Sequence, residues 1–307
     1  MNAGRQISSL ILIVICFLLV QCKSYREQEK EKNDSKWRGT IHVSADESFK
    51  PIIDEHVQVY RSQYPHTNIL VDYKPEAECM KDLFNDSVRM VIVTRNVSQL
   101  EKEAIVDSLK VNPSYFKLAT DAIAVIVNPS DPDSVFTMND LRAILRGKFK
   151  KNLIPVFDNV KATSTIRFVI DSILRDSSLT SGAMAARSSE GVIDFVSKNP
   201  GVIGFIGISW IGNPEDTAQI RNLKRVKMAG IESTYFPGEF VKATQANIYT
   251  KEYPMVRDLV YILKENYNGL GTAFAHFMSG ELGQLIFKRA YLVPIQNFGM
   301  RPVRLKE

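Results

Sequence analysis

Thr163, Ser164 and Thr165 place three hydroxyl groups side by side in the stretch VFDNVKATSTIRFVIDSIL, residues 156 to 174, and Arg167 follows at the head of an amphipathic run. The first turn of a helix presents backbone N–H groups with no partner inside the helix. The helix dipole adds partial positive charge there, so a small anion is a natural ligand. The dipole contributes about 0.3–1 kcal/mol at exposed sites and roughly 2 kcal/mol when partly buried. A charge-assisted hydrogen bond adds about 1.5–3 kcal/mol. Several such donors meeting from two sides reach the roughly 8 kcal/mol that micromolar binding requires. A plain reading stays open beside this one: Thr or Ser caps the helix, and Arg167 pairs with Asp171 one turn on along a solvated face.

Three further stretches carry the same chemistry. SADESF, residues 44 to 49, offers Ser44 and Ser48 with Glu47 beside them. TRNVS, residues 94 to 98, offers Thr94 and Arg95, and RSSEG at 187 to 191 is a fourth polar junction. Each has its plain alternative: Ser48 as the cap of a helix with Pro51 in its first turn, or TRNVS as a capped loop with a solvated arginine. Other chemistries lack a pattern. His42, His56, His66 and His276 are scattered, with no H-x-x-x-H or Cys/His spacing for a metal, and His56 falls on an apolar helix face where packing is expected. No G-x-S-x-G, G-x-G-x-x-G or G-x-x-x-x-G-K-[ST] occurs. Glu76 and Glu78 in KPEAEC read as solvated loop residues. Neither catalysis nor a cofactor is expected.

The elements that position these junctions alternate between short apolar strands and amphipathic helices. Strands are expected at TIHVS, TNILVDY, MVIVT, DAIAVIV, 153–157, VIGFIG and QANIYT. Helices are expected after TIHVS, near 77–86, 137–146 and 189–198, and centred near 258 and 280. This is an α/β chain with largely parallel sheets, and in such sheets ligands collect at the carboxyl ends of strands, where the polar junctions lie.

A chain of 307 residues, 45% hydrophobic and 24% charged, buries a substantial core and fits two compact lobes. Its net charge of +5 is spread among interleaved acids and bases, which gives nucleic-acid binding no support. Residues 1–22 are different material. Arg5 is the one charge, and the apolar run from Leu10 to Val20 is short for a membrane span, as in an export signal. The segment ends in LLVQC, which resembles the bacterial lipobox, with Gln21 where that motif has a small residue; a lipid on Cys22 is expected, and an uncleaved N-terminal anchor is the alternative. Both place residue 23 onward outside the cytoplasmic membrane. Residues 23–36 are almost wholly polar and read as a tether. Cys79 is then the one cysteine of the folded part, so no internal disulfide is expected.

The order of these junctions, with SSEGVIDFVSKNPGVIGFIG and FMSGELGQLIFKRAYLVPI, resembles the phosphate-binding, PstS-like branch of the type 2 periplasmic binding proteins from about residue 40 to 295. The resemblance implies two α/β lobes, residues 37–122 plus 244–307 and residues 123–243, joined by crossings near DAIAVIV and QANIYT. It puts the family's first donor loop on Ala45 to Phe49 and its Ser-Gly-Thr helix start on Thr163, Ser164 and Thr165. Asn159 stands in place of the family's arginine, and Thr94 and Arg95 in place of its Ser-Asp pair. Arg95 or Arg167 is left to supply the positive charge, with Asp46, Glu47, Glu76 or Glu78 as acceptor. The function implied is that of a lipid-anchored, periplasm-facing monomer in the bacterial envelope, binding inorganic phosphate or a related oxyanion for an ABC permease. The alternative is an envelope lipoprotein that uses the same fold for sensing or as a scaffold.

Overall fold

The structure, a computed structural model, describes residues 34–158, 163–175, 178–213 and 215–296. The export signal, Cys22, most of the tether and Asn159 lie outside the described residues. Strand β1 (Arg38–Asp46) pairs in parallel with β2 (His66–Lys74) on one side and β3 (Val88–Val93) on the other. A single 3-10 turn, Glu47–Phe49, leads from β1 into α1 (Lys50–Gln63), whose helical spacing buries Ile52, Ile53, His56 and Tyr60. The short α2 (Glu76–Lys81) follows β2, and α3 (Gln99–Leu109) follows β3. Strand β4 (Ser114–Val127) then runs the full depth of the molecule.

The second half begins with β5 (Val135–Phe136), α4 (Met138–Leu145) and β6 (Ile154–Phe157). Helix α5 (Ser164–Phe168) passes into a wider π turn at Val169–Leu174 and is followed by β7 (Met184–Ala185). Helix α6 (Ser189–Lys198) lies directly on β8 (Val202–Gly207): a Cβ at Gly204 would meet Val192 and Val196 at 2.8 Å. Helix α7 (Thr217–Arg225) leads to β9 (Lys227–Met228), β10 (Gly230–Glu232) and β11 (Phe240–Val241).

The chain returns through α8 (Gln245–Tyr249), β12 (Val256–Leu263), α9 (Leu270–Ser279), α10 (Glu281–Arg289) and β13 (Val293–Pro294). Two expectations change here. QANIYT is a helix: Thr244 caps it by accepting from Asn247 N, and Gln245 donates to the carbonyls of Lys288 and Leu292. The segment centred on 258 is a strand, inserted between β3 and β4. Its buried residues Leu259, Val260, Ile262 and Leu263 fall on both faces, with a register irregularity between Leu259 and Val260, so they do not alternate and imitate helical spacing.

The main sheet runs β2-β1-β3-β12-β4-β8-β6-β7, parallel in both flanks and antiparallel around β4 and β12. Residues Ser114 to Ala122 of β4 pair with β12, and Ile123 to Val127 pair with β8. One strand therefore belongs to both lobes, and the residues where the lobes meet gather beside its midpoint. Gln284 anchors the closing segment by donating to Leu118 O and Met278 O and accepting from Ile295 N and Gln296 N. Among the described residues no helix is long and apolar enough to cross a membrane.

Candidate functional site: the interlobe cleft

The strand ends bring side chains from both lobes together. After β1, Asp46 accepts from Ser48 N at 2.8 Å, and its other oxygen accepts from Ser164 N, across the cleft, at 3.2 Å. Glu47 accepts from Ser189 N at 3.2 Å and from Ser189 Oγ at 3.0 Å, at the start of α6. Ser48 Oγ donates to Asp158, just past β6, at 3.1 Å, and the Ser48 carbonyl accepts from Trp210 Nε1 at 2.9 Å and Ser209 Oγ at 3.2 Å. Glu76, at the head of α2, accepts from Thr94 N and Thr94 Oγ1, both at 2.7 Å, and from Arg167 Nε at 2.5 Å. Arg167 also donates to Thr94 Oγ1 at 2.7 Å.

Beneath these groups lies Arg257 of β12, its side chain 4% exposed. Its Nε donates to Asp121 of β4 at 2.8 Å, and Nη1 donates to Ser164 Oγ at 2.8 Å and Thr165 Oγ1 at 3.4 Å. The guanidinium lies 5.0 Å from the centre of the Phe49 ring, close enough for a cation–π contact. Burial works against its charge, but Asp121 and Asp46 outweigh that and raise its pKa. The β12 strand thus delivers a permanently charged donor under the helix that carries Ser164 and Thr165.

Acids outnumber bases in this space: Asp46, Glu47, Glu76, Asp121 and Asp158 face Arg167 and Arg257. Burial first, and then Asp158 nearby, pushes the Glu47 carboxyl up to about 7. Burial first and then Asp46 push Asp158 up to about 6, with Arg257 opposing. Asp46 is also raised, chiefly by burial. At Glu76 burial is outweighed by Arg167 and Thr94, which hold the carboxyl below its usual value. Among the described residues no group of three His, Cys, Asp or Glu is placed to hold a metal ion. The cluster is a hydrogen-bonded acid set, able to trade partners with an anion of similar shape.

The structure brings Glu47, Ser48, Thr94, Thr163, Ser164, Thr165 and Arg167 to this cleft. Thr163 serves as the cap of α5, accepting from Ile166 N at 3.3 Å. Ser44 is turned away to Asp82. Arg95 pairs with Glu101 at 2.7 Å and with the Asn96 carbonyl, so its charge is spent beside α3 rather than on the cleft. Asn159 lies outside the described residues. Glu76, expected in solvent, is buried at 2% exposure, and Arg167, expected at the anion site with a solvated pair to Asp171 as the plain alternative, reaches Glu76 across the cleft while keeping Asp171 only at 3.5 Å. Ser189 belongs to the RSSEG junction expected as a donor site, whereas Asp121, Asp158 and Arg257 were not expected in the site. Asp158 directly follows its strand, next to Asn159 and five residues before Thr163, which is a signal of sorts, whereas Arg257 was hidden in a segment that reads as a helix.

A model of the PBP superfamily domain matches residues 30–281. The phosphate-binding protein PstS of Borreliella burgdorferi is 23% identical across 95% of this chain and 100% of its own length. PstS of Bacillus subtilis is 21% identical, covering 92% of this chain and 90% of that one. Among solved structures, a candidate phosphate ABC transporter substrate-binding protein from Clostridium perfringens, with bound phosphate, superposes with a TM-score of 0.70 at 19% identity, over 84% of this chain and 100% of that one. An ABC-type phosphate transport receptor from Vibrio cholerae gives a TM-score of 0.61 at 19% identity, over 82% and 99%. The match spans both halves of the sheet and the cleft between them, and the chain belongs to the PBP superfamily, as a PstS-like type 2 member.

Proposed function

We propose that this protein is an extracytoplasmic solute-binding protein that takes inorganic phosphate or a related oxyanion in its interlobe cleft and hands it to an ABC permease. It does so as a monomer held to the envelope by a lipid on Cys22, with no catalytic step. The observation that carries this reading is the meeting of donors from both lobes: Thr94 on one side, Ser164, Thr165, Arg167 and Ser189 on the other, with Arg257 beneath. The relatives from Borreliella burgdorferi and Bacillus subtilis, both phosphate-binding proteins, support the choice of anion. With lobes at 37–122 plus 244–307 and at 123–243, closure about the crossings would report occupancy to the permease. Isothermal titration with phosphate, sulfate and molybdate near pH 6 tests it: micromolar phosphate binding is expected, and no heat from any of the three overturns the reading.

A second reading draws on one observation. Glu47 and Glu76 already occupy donors that an anion would use, so the lobes are linked without a ligand. A protein so linked could sense or scaffold in the envelope without feeding a permease. Permease and ATPase genes beside its own gene would favour transport.

A further inference from the structure

We infer that Asp46, Glu47, Glu76 and Asp158 latch the two lobes together when the cleft holds no ligand, and that phosphate replaces this latch only with uptake of protons by the acidic set. The inference rests on the oxyanion reading of the cleft and adds the condition under which the anion enters.

The latch is visible as four links between lobes, each with a carboxylate as acceptor. Asp46 takes Ser164 N, Glu47 takes Ser189, Glu76 takes Arg167, and Asp158 takes Ser48 Oγ in the opposite direction. Backbone N–H, serine hydroxyl and guanidinium are the donors that an oxyanion requires. The chain's own carboxylates therefore stand where the oxygens of a bound anion would be.

Charge then decides what entry requires. Facing this space are Asp46 and Glu47 after β1, Glu76 of α2, Asp121 of β4, Asp158 after β6, Arg167 of α5 and Arg257 of β12. Behind them, Asp82 and Lys74 pair with each other at 2.8 Å, Arg95 is taken by Glu101, and Cys79 is buried and donates to Lys74 O. Among the described residues the cleft set holds five carboxylates against two guanidiniums. Adding an anion to that set without compensation would leave several buried negative charges unpaired, which is strongly unfavourable. Protonation is the cheaper course: a carboxylate that takes a proton from the buffer loses its charge, gains an O–H donor and releases the donors it held.

Three buried atoms of this set have no hydrogen-bond partner among the described residues: the acceptors Asp121 Oδ1 and Asp158 Oδ1 and the donor Arg257 Nη2. An oxyanion that still carries a proton offers a donor to one such acceptor and an acceptor to the guanidinium. Glu47 and Asp158 are the groups nearest to taking up protons, since burial and neighbouring acids have already raised them to about 7 and about 6. A bound anion raises them further, so binding strengthens as pH falls through this range.

The test is titration of the full protein with inorganic phosphate near pH 7 in two buffers of different ionisation enthalpy, and across about pH 6 to 8. The Glu47→Gln/Asp158→Asn double variant and the single Glu47→Gln variant are measured alongside, with thermal melts to establish folding. Phosphate's own titration is common to all of them, so the difference reports on the protein. The wild type is expected to take up about one proton more per phosphate than the double variant, and to lose at least several-fold more affinity between the two ends of the pH range. Equal proton counts and equal pH slopes in wild type and folded variants overturn the inference while leaving phosphate binding intact. No phosphate binding in any form at any pH overturns the oxyanion reading itself.

Discussion

Five helices among the described residues begin with a hydroxyl cap; α8, capped by Thr244, stands apart from the cleft, and the other four divide into two kinds. Helices α3 and α4 start on the surface with Ser98 and Thr137, and each carries its own acid three residues on: Glu101 and Asp140 return a hydrogen bond to the cap backbone. Helices α5 and α6 start at the cleft with Thr163 and Ser188, and the equivalent positions hold Ile166 and Gly191. Their free N–H groups are met instead by Asp46 and Glu47 from the opposite lobe. A helix that supplies its own acid has no use for a foreign charge. One that lacks it is open to a ligand, or to a carboxylate standing in for one.

The sharpest way to break this contrast is to remove the cation under α5. Arg257→Met leaves Asp121 buried and unpaired, and the expected loss is about 3–5 kcal/mol of folding stability in urea denaturation. A loss below about 1 kcal/mol would place the pair at the level of a surface contact.

Next in size is a difference in the sign of pH dependence. Glu47 has its folded-state pKa raised from 4.5 to about 7. The stability it contributes is therefore complete below about pH 4.5 and is lost as pH rises through about 7. Glu101 is depressed to about 2, mainly by Arg95, so its contribution is present above about pH 4.5 and lost as pH falls toward 2. Glu47→Gln should flatten the stability curve between about pH 4.5 and 7 by about 2 kcal/mol, after allowance for partial exposure. Glu101→Gln should act only between about pH 2 and 4.5. The same pH range responding to both variants would erase the distinction.

Thr165→Ala should weaken phosphate binding by at least about 1.5 kcal/mol by calorimetry, because the hydroxyl lies beside Arg257 at the candidate site. Thr137→Ala, a cap on the surface, should cost about 1 kcal/mol of stability and leave phosphate affinity unchanged. The smallest effect belongs to Arg95→Ala. Its pair with Glu101 is half-exposed on both sides and should contribute no more than about 1 kcal/mol, with no change in anion affinity.

Most of the α/β order was legible because flanking strands and helices keep their periods: TIHVS, MVIVT and the face of Ile52, Ile53, His56 and Tyr60 all fold as their patterns direct. Strand β12 was not, since its buried residues Leu259, Val260, Ile262 and Leu263 lie on both faces and lose the alternation, and Arg257 was lost with it. Within the site, hydroxyls at strand ends were readable as donors. The carboxylates were not, because an acid in a loop is usually solvated, and only tertiary packing puts Glu76 and Asp158 out of water. The absence of an acid three residues after Thr163 and Ser188 was written in the sequence throughout.

The most direct measurement is a crystal structure grown with phosphate near pH 6. The cleft should hold phosphate bonded to Thr94, Ser164, Thr165 and Arg257, with Glu47 and Asp158 displaced from Ser189 and Ser48. An empty cleft at saturating phosphate, with all four carboxylates still on their donors, would contradict the anion-binding role.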